Sequence, residues 1–166
     1  MGGSGQFHLR CLDKRIFQEE TSYSMALQKM NDIISLQGSG AMRVLIVEPE
    51  RRPEVREIDG SLKSMQEIVG GLIQPIPLIG DPDIVLVCND EGKLLNLPAN
   101  RGLRNENGQI YDIVCGTFFI CGAPTDSDHL TSLTQDQIER YQKRFYTPEM
   151  FWGMDGHIIC LPLEVD

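Results

Sequence analysis

Two polar clusters flank a short apolar stretch near the middle of the chain, and their side chains are of the kinds that bind small ligands. They are Asn89, Asp90, Glu91, Lys93, Asn100 and Arg101. Carboxylate and ammonium groups can position a substrate or an ion, and a guanidinium offers a planar fork to a carboxylate or phosphate. These six residues are therefore candidates for a ligand-binding site. For Asp90, Glu91 and Lys93 we favour the structural alternative, a turn with solvated charges. For Asn89, Asn100 and Arg101 the alternative, left open, is that Asn89 ties the turn to the second cluster.

The elements that would position this site can be predicted from hydrophobicity and turn chemistry. Ile84–Cys88 is a continuous apolar run, which predicts a strand buried on both faces. Asn89–Gly92 has turn composition. Lys93–Leu95 is then expected to lead back as a short return strand, and Leu97–Arg101 to form a closing loop.

No set of residues completes a catalytic or metal-binding signature. The five cysteines are odd in number and never occur as C-x-x-C, and the three histidines share no ligand spacing. Cys88 has no histidine partner nearby in sequence, so a buried thiol is the favoured interpretation. We predict no catalytic residue, no metal and no cofactor. An enzyme that uses Asp90, Glu91 or Cys88 is kept as an alternative.

The charge distribution bears on the class of partner. Residues 1–41 contain equal numbers of acidic and basic residues, so the whole net charge of −9 lies on residues 42–166. Phosphate binding needs clustered Lys and Arg, which disfavours nucleic acid. With no signal peptide and no apolar run of about 18 residues, we expect a cytoplasmic protein with no membrane contact.

The composition also divides the chain into two parts. Met1–Gly5 and Gly38–Ala41 resemble flexible linkers, and Met42 looks like a natural start followed at once by a strand. We interpret residues 1–41 as an engineered fusion and residues 42–166 as the native domain. A natural Gly-rich extension is the alternative.

The segment between the linkers has its own pattern. Alternation at residues 7–11 predicts a short strand, and a helical face follows. The residues on that face are Tyr23, Leu27, Met30 and Ile34. Residues 6–36 therefore look like a segment of a protein partner tethered to its receptor. Alternatively, the segment belongs to the same fold or is supplied by another protomer, as in a homo-oligomer.

The remaining elements predict an α+β fold, a mostly antiparallel sheet with two or three helices packed on one side. A helix capped by Asp59–Ser61 should end at Gly70, and a second should begin at Thr134. Pro75 and Pro77 confine Leu72–Ile79 to a sheet edge or an extended segment. Ile110–Cys121 reads as one strand with a bulge or close approach at Gly116, and His157–Leu163 as the last strand.

Several motifs carry a resemblance to a known family. They are Val47-Glu48-Pro49, Ile68-Val69-Gly70-Gly71, Cys88–Lys93, Leu97–Arg101 and Gly116–Ile120. Residues 42 to about 146 resemble an uncharacterised domain family of phages and Gram-positive mobile elements. Genes of that family often lie among antirestriction genes, so the resemblance implies a role in mobile-element biology. It implies no activity.

These observations favour a non-enzymatic binding protein that engages a segment of a partner protein. The main alternative is a small-molecule or nucleotide-binding protein that uses the polar clusters.

Overall fold

The computed structural model of the protein describes residues 20–36, 38 and 40–165. In chain order the elements are α1 (Glu20–Leu36), β1 (Ala41–Val47), β2 (Glu54–Asp59), α2 (Leu62–Val69), β3 (Ile73–Leu78), β4 (Asp81–Asn89), β5 (Ala99–Arg104), β6 (Ile110–Cys115), β7 (Phe118–Gly122), α3 (Gln135–Arg144), β8 (Glu149–Met154) and β9 (His157–Pro162). The strand predicted at residues 7–11 lies outside the described residues.

The core of the fold is a five-stranded sheet in the order β2-β1-β7-β4-β3, and every neighbouring pair in it is antiparallel. Two-stranded antiparallel sheets are formed by β5 with β6 and by β8 with β9. The prediction of an α+β fold with a mostly antiparallel sheet is confirmed. In β4 the whole of Ile84–Asn89 is buried, because neighbouring strands flank it and both of its faces are covered.

Each face of the central sheet carries its own apolar core. On the first face, α1 and α2 pack over side chains such as Val44, Val87 and Phe119. On the second face, α3 packs with β5 over side chains such as Leu45 and Phe118. Two helices therefore share one side of the sheet, and α3 covers the other.

The helix boundaries follow their capping residues. Ser61 precedes α2, and its side chain accepts a hydrogen bond from the Ser64 amide, while Gly70 ends the helix with φ of 79°. Thr134 and Gln137 form a reciprocal capping box at the start of α3. Both helices are confirmed as the sequence predicts them.

Three predictions about strands need correction. Residues 90–96 form turns rather than a return strand at Lys93–Leu95, and the Leu94 side chain lies in solvent. Leu97–Arg101 is not a loop throughout, because β5 begins at Ala99 and pairs with β6. Ile110–Cys121 is two strands in separate sheets, because the chain turns at Gly116, where φ is 83°. A Cβ there would lie 2.7 Å from Leu97 Cδ1, which confirms the predicted close approach.

The last part of the chain is a hairpin. The strand predicted at His157–Leu163 is β9, and it pairs along its length with β8, which the sequence did not reveal as a strand. Asp155 and Gly156 both have positive φ, as a two-residue type I′ turn requires.

Candidate functional site

Asn89 ends β4 and uses both ends of its amide inside the fold. Its Nδ2 donates to the Val69 carbonyl oxygen at 3.1 Å, and its Oδ1 accepts from the Glu91 amide at 2.8 Å. The side chain is buried, so these bonds replace those that water would make. Asn89 thus links the turn after β4 to the end of α2, and not to the second polar cluster as the structural alternative supposed.

Asn100 lies fully buried on β5, away from the turn. Its Nδ2 donates to the carbonyl oxygens of Val47 and Gly116, both at 2.8 Å, and its Oδ1 accepts from Arg101 Nη1 at 2.8 Å. It joins the end of β1 to the bend between β6 and β7.

Arg101 is also fully buried. Its Nε donates to the Phe145 carbonyl oxygen at 3.1 Å and its Nη2 to the Arg51 carbonyl oxygen at 2.5 Å. Burial lowers the pKa of Arg101 to about 10, although the negative charge of Glu149 opposes this. The guanidinium therefore connects β5, the loop after β1 and the C-terminal end of α3.

A small cavity lies beside the turn after β4. Its volume is about 70 Å³, and its polar lining includes Asn89, Asp90, Lys93 and Asp112. Lys93 and Asp112 form an ion pair across it. Ligand pockets for drug-sized molecules have volumes of about 300–1,000 Å³. This cavity has room for water or a ligand of a few atoms.

The structure brings together only part of the predicted ligand-binding set. Asn89, Asp90 and Lys93 line the cavity. Glu91 is exposed beside it, and Asn100 and Arg101 are in the interior with their polar groups bonded to the chain itself. The ligand-binding role of these residues stays a prediction.

Asp112 is a member of the cavity that sequence reasoning missed. It sits in β6, and its Oδ1 accepts from the Lys93 ammonium and from the Ile113 amide. The sequence signal that could have revealed Asp112 is that it is the lone carboxylate within the apolar run Ile110–Cys115. A carboxylate in such a run needs a partner when the run is buried.

Two thiols, those of Cys88 and Cys115, line the same cavity. Burial raises the pKa of Cys88 to about 12, and the charge of Asp112 acts in the same direction. Burial also raises the pKa of Cys115, although Lys93 opposes this. Both thiols are therefore protonated near neutral pH and carry little thiolate for nucleophilic chemistry.

The second candidate site is the groove under α1, on the first face of the sheet. Met30, Ile33 and Ile34 are buried there in one cluster with side chains of β1, β4, β7 and α2. Leu27 is half-buried, and the side chain of Tyr23 lies outside the described residues. The Lys29 ammonium donates to the Thr125 carbonyl oxygen at 2.8 Å, at the rim of the groove. We call the surface under α1 the α1 groove.

One comparison decides the family. The family described as Domain of unknown function (DUF3846) matches residues 42–146. The chain belongs to the DUF3846 family. No curated protein and no solved structure matches the chain.

The DUF3846 match divides the candidate sites. The small cavity, Asn100 and Arg101 all lie within residues 42–146. The α1 groove is built from the same range, but α1 itself lies outside it. A face of the DUF3846 domain is thus covered by a helix that is not part of the family match.

A polar cluster joins the DUF3846 domain to the hairpin that follows it. Arg104 of β5 makes a two-bond ion pair with Glu149 of β8, and Glu149 also accepts from the Gly102 amide at 3.1 Å. Cys160 Sγ of β9 donates to Glu149 at 2.7 Å. Burial and this bond raise the pKa of Cys160 to about 11. Sequence reasoning missed the cluster because its members are far apart in the chain.

The described residues contain no group of three or more His, Cys, Asp or Glu side chains placed to hold a metal ion. None of the helices among them is both long and apolar enough to cross a bilayer.

Proposed function

We propose that this protein is a non-enzymatic binding protein whose DUF3846 domain engages an amphipathic helix of a partner protein in the α1 groove. The observation that carries the proposal is the burial of Met30, Ile33 and Ile34 against a domain whose family match begins at residue 42. The groove is apolar, and a helix with anchors at i, i+3 and i+4 fits it.

The energetics of the groove support a guest helix. Burying one large apolar side chain contributes about 1.5–3 kcal/mol, and α1 buries three of them. An isolated helix of this length is marginal in water, so docking has to supply most of its stability. A tether raises the effective concentration of the guest to the order of millimolar, so a weak guest would still occupy the groove.

The proposal extends to the biological setting. Residues 42 to about 146 resemble an uncharacterised family of phages and Gram-positive mobile elements. This resemblance supports a cytoplasmic protein that acts on a protein of the host or of the mobile element, in counter-defence or regulation. The partner would then present a helix with the apolar pattern of α1.

The test separates the domain from its guest. Residues 42–166 are produced alone, and a labelled peptide of residues 20–36 is titrated against them by fluorescence anisotropy. We expect a folded domain by circular dichroism and saturable binding. A peptide carrying Ile33→Asp should not bind, whereas one carrying Met25→Asp should bind as the parent does, because Met25 is 68% exposed.

Two outcomes would contradict the proposal. If residues 42–166 do not fold, α1 is part of the fold and not a guest. If they fold but neither the parent peptide nor the Met25→Asp peptide binds, the groove is not a receptor for this helix. Where binding is seen, a pull-down displaced by the peptide identifies the partner.

Small-molecule binding is a second candidate function, supported by the cavity at Asn89, Asp90 and Lys93. The volume of about 70 Å³ favours a ligand of a few atoms over a nucleotide. Thermal-shift measurements with nucleotides and with small anions test it, with Lys93→Met as the control variant. Stabilisation by a small anion that disappears in Lys93→Met would support this function.

A further inference from the structure

A hydrogen bond from Lys29 crosses the rim of the α1 groove. The Lys29 side chain is exposed, and its ammonium donates to the Thr125 carbonyl oxygen at 2.8 Å. The next residue, Met30, is buried in the groove, and so is Ile33, which lies one helical turn from Lys29 on the same side of the helix. The cation therefore lies at a fixed spacing from the apolar side chains that hold α1.

The loop that accepts this bond is positioned by the domain itself. We call residues 123–129, which follow β7, the rim loop. The Thr125 amide donates to Asp83 Oδ1 at 3.1 Å, and the Ser127 amide donates to the Pro124 carbonyl oxygen at 3.1 Å and closes a turn. These bonds do not involve α1. The Thr125 carbonyl group is therefore placed in advance, which lowers the cost of ordering it when a helix binds.

The rim loop is also acidic. It contains Asp126 and Asp128, both exposed, and it has no Lys or Arg. Asp83 adds a third carboxylate beside it. The domain and its hairpin carry the whole net charge of −9, so the field at the rim favours a cation over an anion. Charge complementarity of this kind discriminates between partners and speeds their association.

The charges of α1 are arranged to match the rim loop. Lys29 is the one basic residue in the sequence of the helix, and it is the residue that reaches the loop. In the part of the chain that the structure describes, the Asp32 carboxylate is bonded within the helix, where its Oδ1 accepts from Gln28 Nε2 at 3.0 Å. The helix therefore presents its cation, and not this carboxylate, to the acidic loop.

We propose, on the premise that α1 is a guest in its groove, that the rim loop selects partner helices with a Lys or Arg directly before the first buried anchor. The pattern is a cation followed by apolar side chains one, four and five positions later, as Lys29 is followed by Met30, Ile33 and Ile34. The partner is then a protein with an amphipathic helix whose apolar face has a cationic flank. Burial of the anchors supplies affinity, and the cation discriminates between helices of similar hydrophobicity.

The test moves the cation within the full chain without changing its composition. The exchanged variant carries Gln28→Lys together with Lys29→Gln, so its net charge is that of the wild type. Hydrogen exchange of the α1 amides measures how often the helix undocks. We expect opening of α1 to increase roughly three- to tenfold in the exchanged variant, the range of an exposed charged hydrogen bond. Gln28→Lys alone shares the change at residue 28 and should leave the opening as in the wild type.

A second set of variants reverses the charge of the rim loop. In a chain that carries Asp126→Lys and Asp128→Lys, the wild-type α1 sequence should open more often, because its lysine now faces two ammonium groups. Adding Lys29→Glu to that chain should restore protection of α1, whereas Lys29→Glu alone should reduce it. Raising the salt concentration from about 0.05 M to about 0.5 M should shrink these differences, because the charges are exposed.

Selection between partners is measured in trans with the full chain that carries Ile33→Asp, whose groove is uncovered if α1 is a guest. A labelled peptide of residues 20–36 is titrated against it, beside a peptide in which Gln28 and Lys29 are exchanged. We expect the parent peptide to bind roughly three- to tenfold more tightly.

The outcomes separate the selection rule from the receptor function. Equal opening in the wild type and the exchanged variant, or equal binding of the two peptides, overturns selection by the rim loop and leaves the receptor function intact. If α1 and β4 lose protection together in these variants, α1 is part of the core, and both the selection rule and the receptor function are overturned.

Discussion

At the scale of single residues, Arg101 shows how a charged side chain can serve the fold. Within the described chain its hydrogen-bond acceptors are backbone carbonyl oxygens and the Asn100 amide oxygen, not carboxylates. A guanidinium has five N–H groups in a planar fork, so one side chain can satisfy carbonyl groups of several segments at once. Its burial without a carboxylate partner is tolerated because those bonds replace its hydration.

The first prediction concerns this fork. Arg101→Lys should lower the free energy of unfolding by about 2–4 kcal/mol, because an ammonium cannot reach the Phe145 and Arg51 carbonyl groups together and leaves buried acceptors unsatisfied. Arg56→Lys is the matched control, since Arg56 lies on the surface beside Glu54. Its effect should stay within about 0.5 kcal/mol. Urea denaturation measures both, and equal effects would contradict a structural role for Arg101.

The second prediction concerns pH and the cluster that holds the hairpin. Burial opposes ionisation of Glu149, but hydrogen bonds from Arg104, Cys160 and the Gly102 amide lower its pKa below the ordinary value of 4.5. As the pH falls, the Glu149 carboxylate is therefore protonated in the unfolded chain before it is protonated in the folded chain. The stabilisation is present above pH 4.5 and is lost as the pH falls through the lowered pKa.

Glu149→Gln tests this by removing the ionisable group. At neutral pH the variant should be less stable by about 1–3 kcal/mol, and the difference should narrow as the pH falls below 4.5. Glu54→Gln on the surface is the control, and its effect on the free energy of unfolding should stay within about 0.5 kcal/mol. Urea denaturation at pH 7 and pH 3.5 gives the comparison. A difference that is the same at both pH values would contradict the assignment.

The candidate site could be predicted only in part, and residue-scale contacts explain why. The turn at Asn89 and Asp90 and the proximity of Lys93 are local, so composition reveals them. The interior positions of Asn100 and Arg101 depend on the carbonyl groups of Val47 and Phe145, which are distant in sequence. No local sequence pattern distinguishes a buried arginine that binds carbonyl groups of its own chain from an exposed arginine that binds a ligand.

At the scale of elements, helix boundaries set by a capping residue could be predicted from the sequence. The point at which the chain leaves one sheet and enters another could not. The caps of α2 and α3 lie within a few residues of the helices they limit. The division of Ile110–Cys121 into β6 and β7 depends on which strands pair with each half. β6 pairs with β5, whereas β7 enters the central sheet between β1 and β4. The pairing partners of β6 and β7 are determined by tertiary structure, so a continuous apolar run in the sequence does not reveal where one strand ends and the other begins.

The third prediction tests the bend that separates these strands. Gly116 combines positive φ with a Cβ position 2.7 Å from Leu97, whereas Gly108 has positive φ of 76° and open space around it. Gly108→Ala should cost about 1–2 kcal/mol from backbone strain alone. Gly116→Ala should cost a further 1–3 kcal/mol, roughly, from overpacking. Thermal and urea denaturation measure the difference, and equal costs would show that Leu97 moves aside freely.

At the scale of the whole molecule, the two faces of the central sheet are covered differently. α3 belongs to the DUF3846 match and is joined to β5 through the bond from Arg101 to the Phe145 carbonyl group. α1 lies outside the match and holds its face mainly through apolar contacts. A helix held mainly by apolar packing can be exchanged for another of similar pattern, which is what a receptor groove requires.

The last prediction follows from this difference and uses the full chain. Ile33→Asp places a carboxylate in the α1 groove, where Ile33 is 4% exposed, so α1 should undock. If α1 is a guest, the amide hydrogens of α1 should exchange rapidly while those of β4 and β7 stay protected, and a dye that binds apolar surface should bind the uncovered groove. Met25→Asp, on the exposed side of α1, should change neither measurement. Loss of protection in β4 together with α1 would instead show that the sheet cannot fold without α1, and the groove would then be an ordinary part of the core.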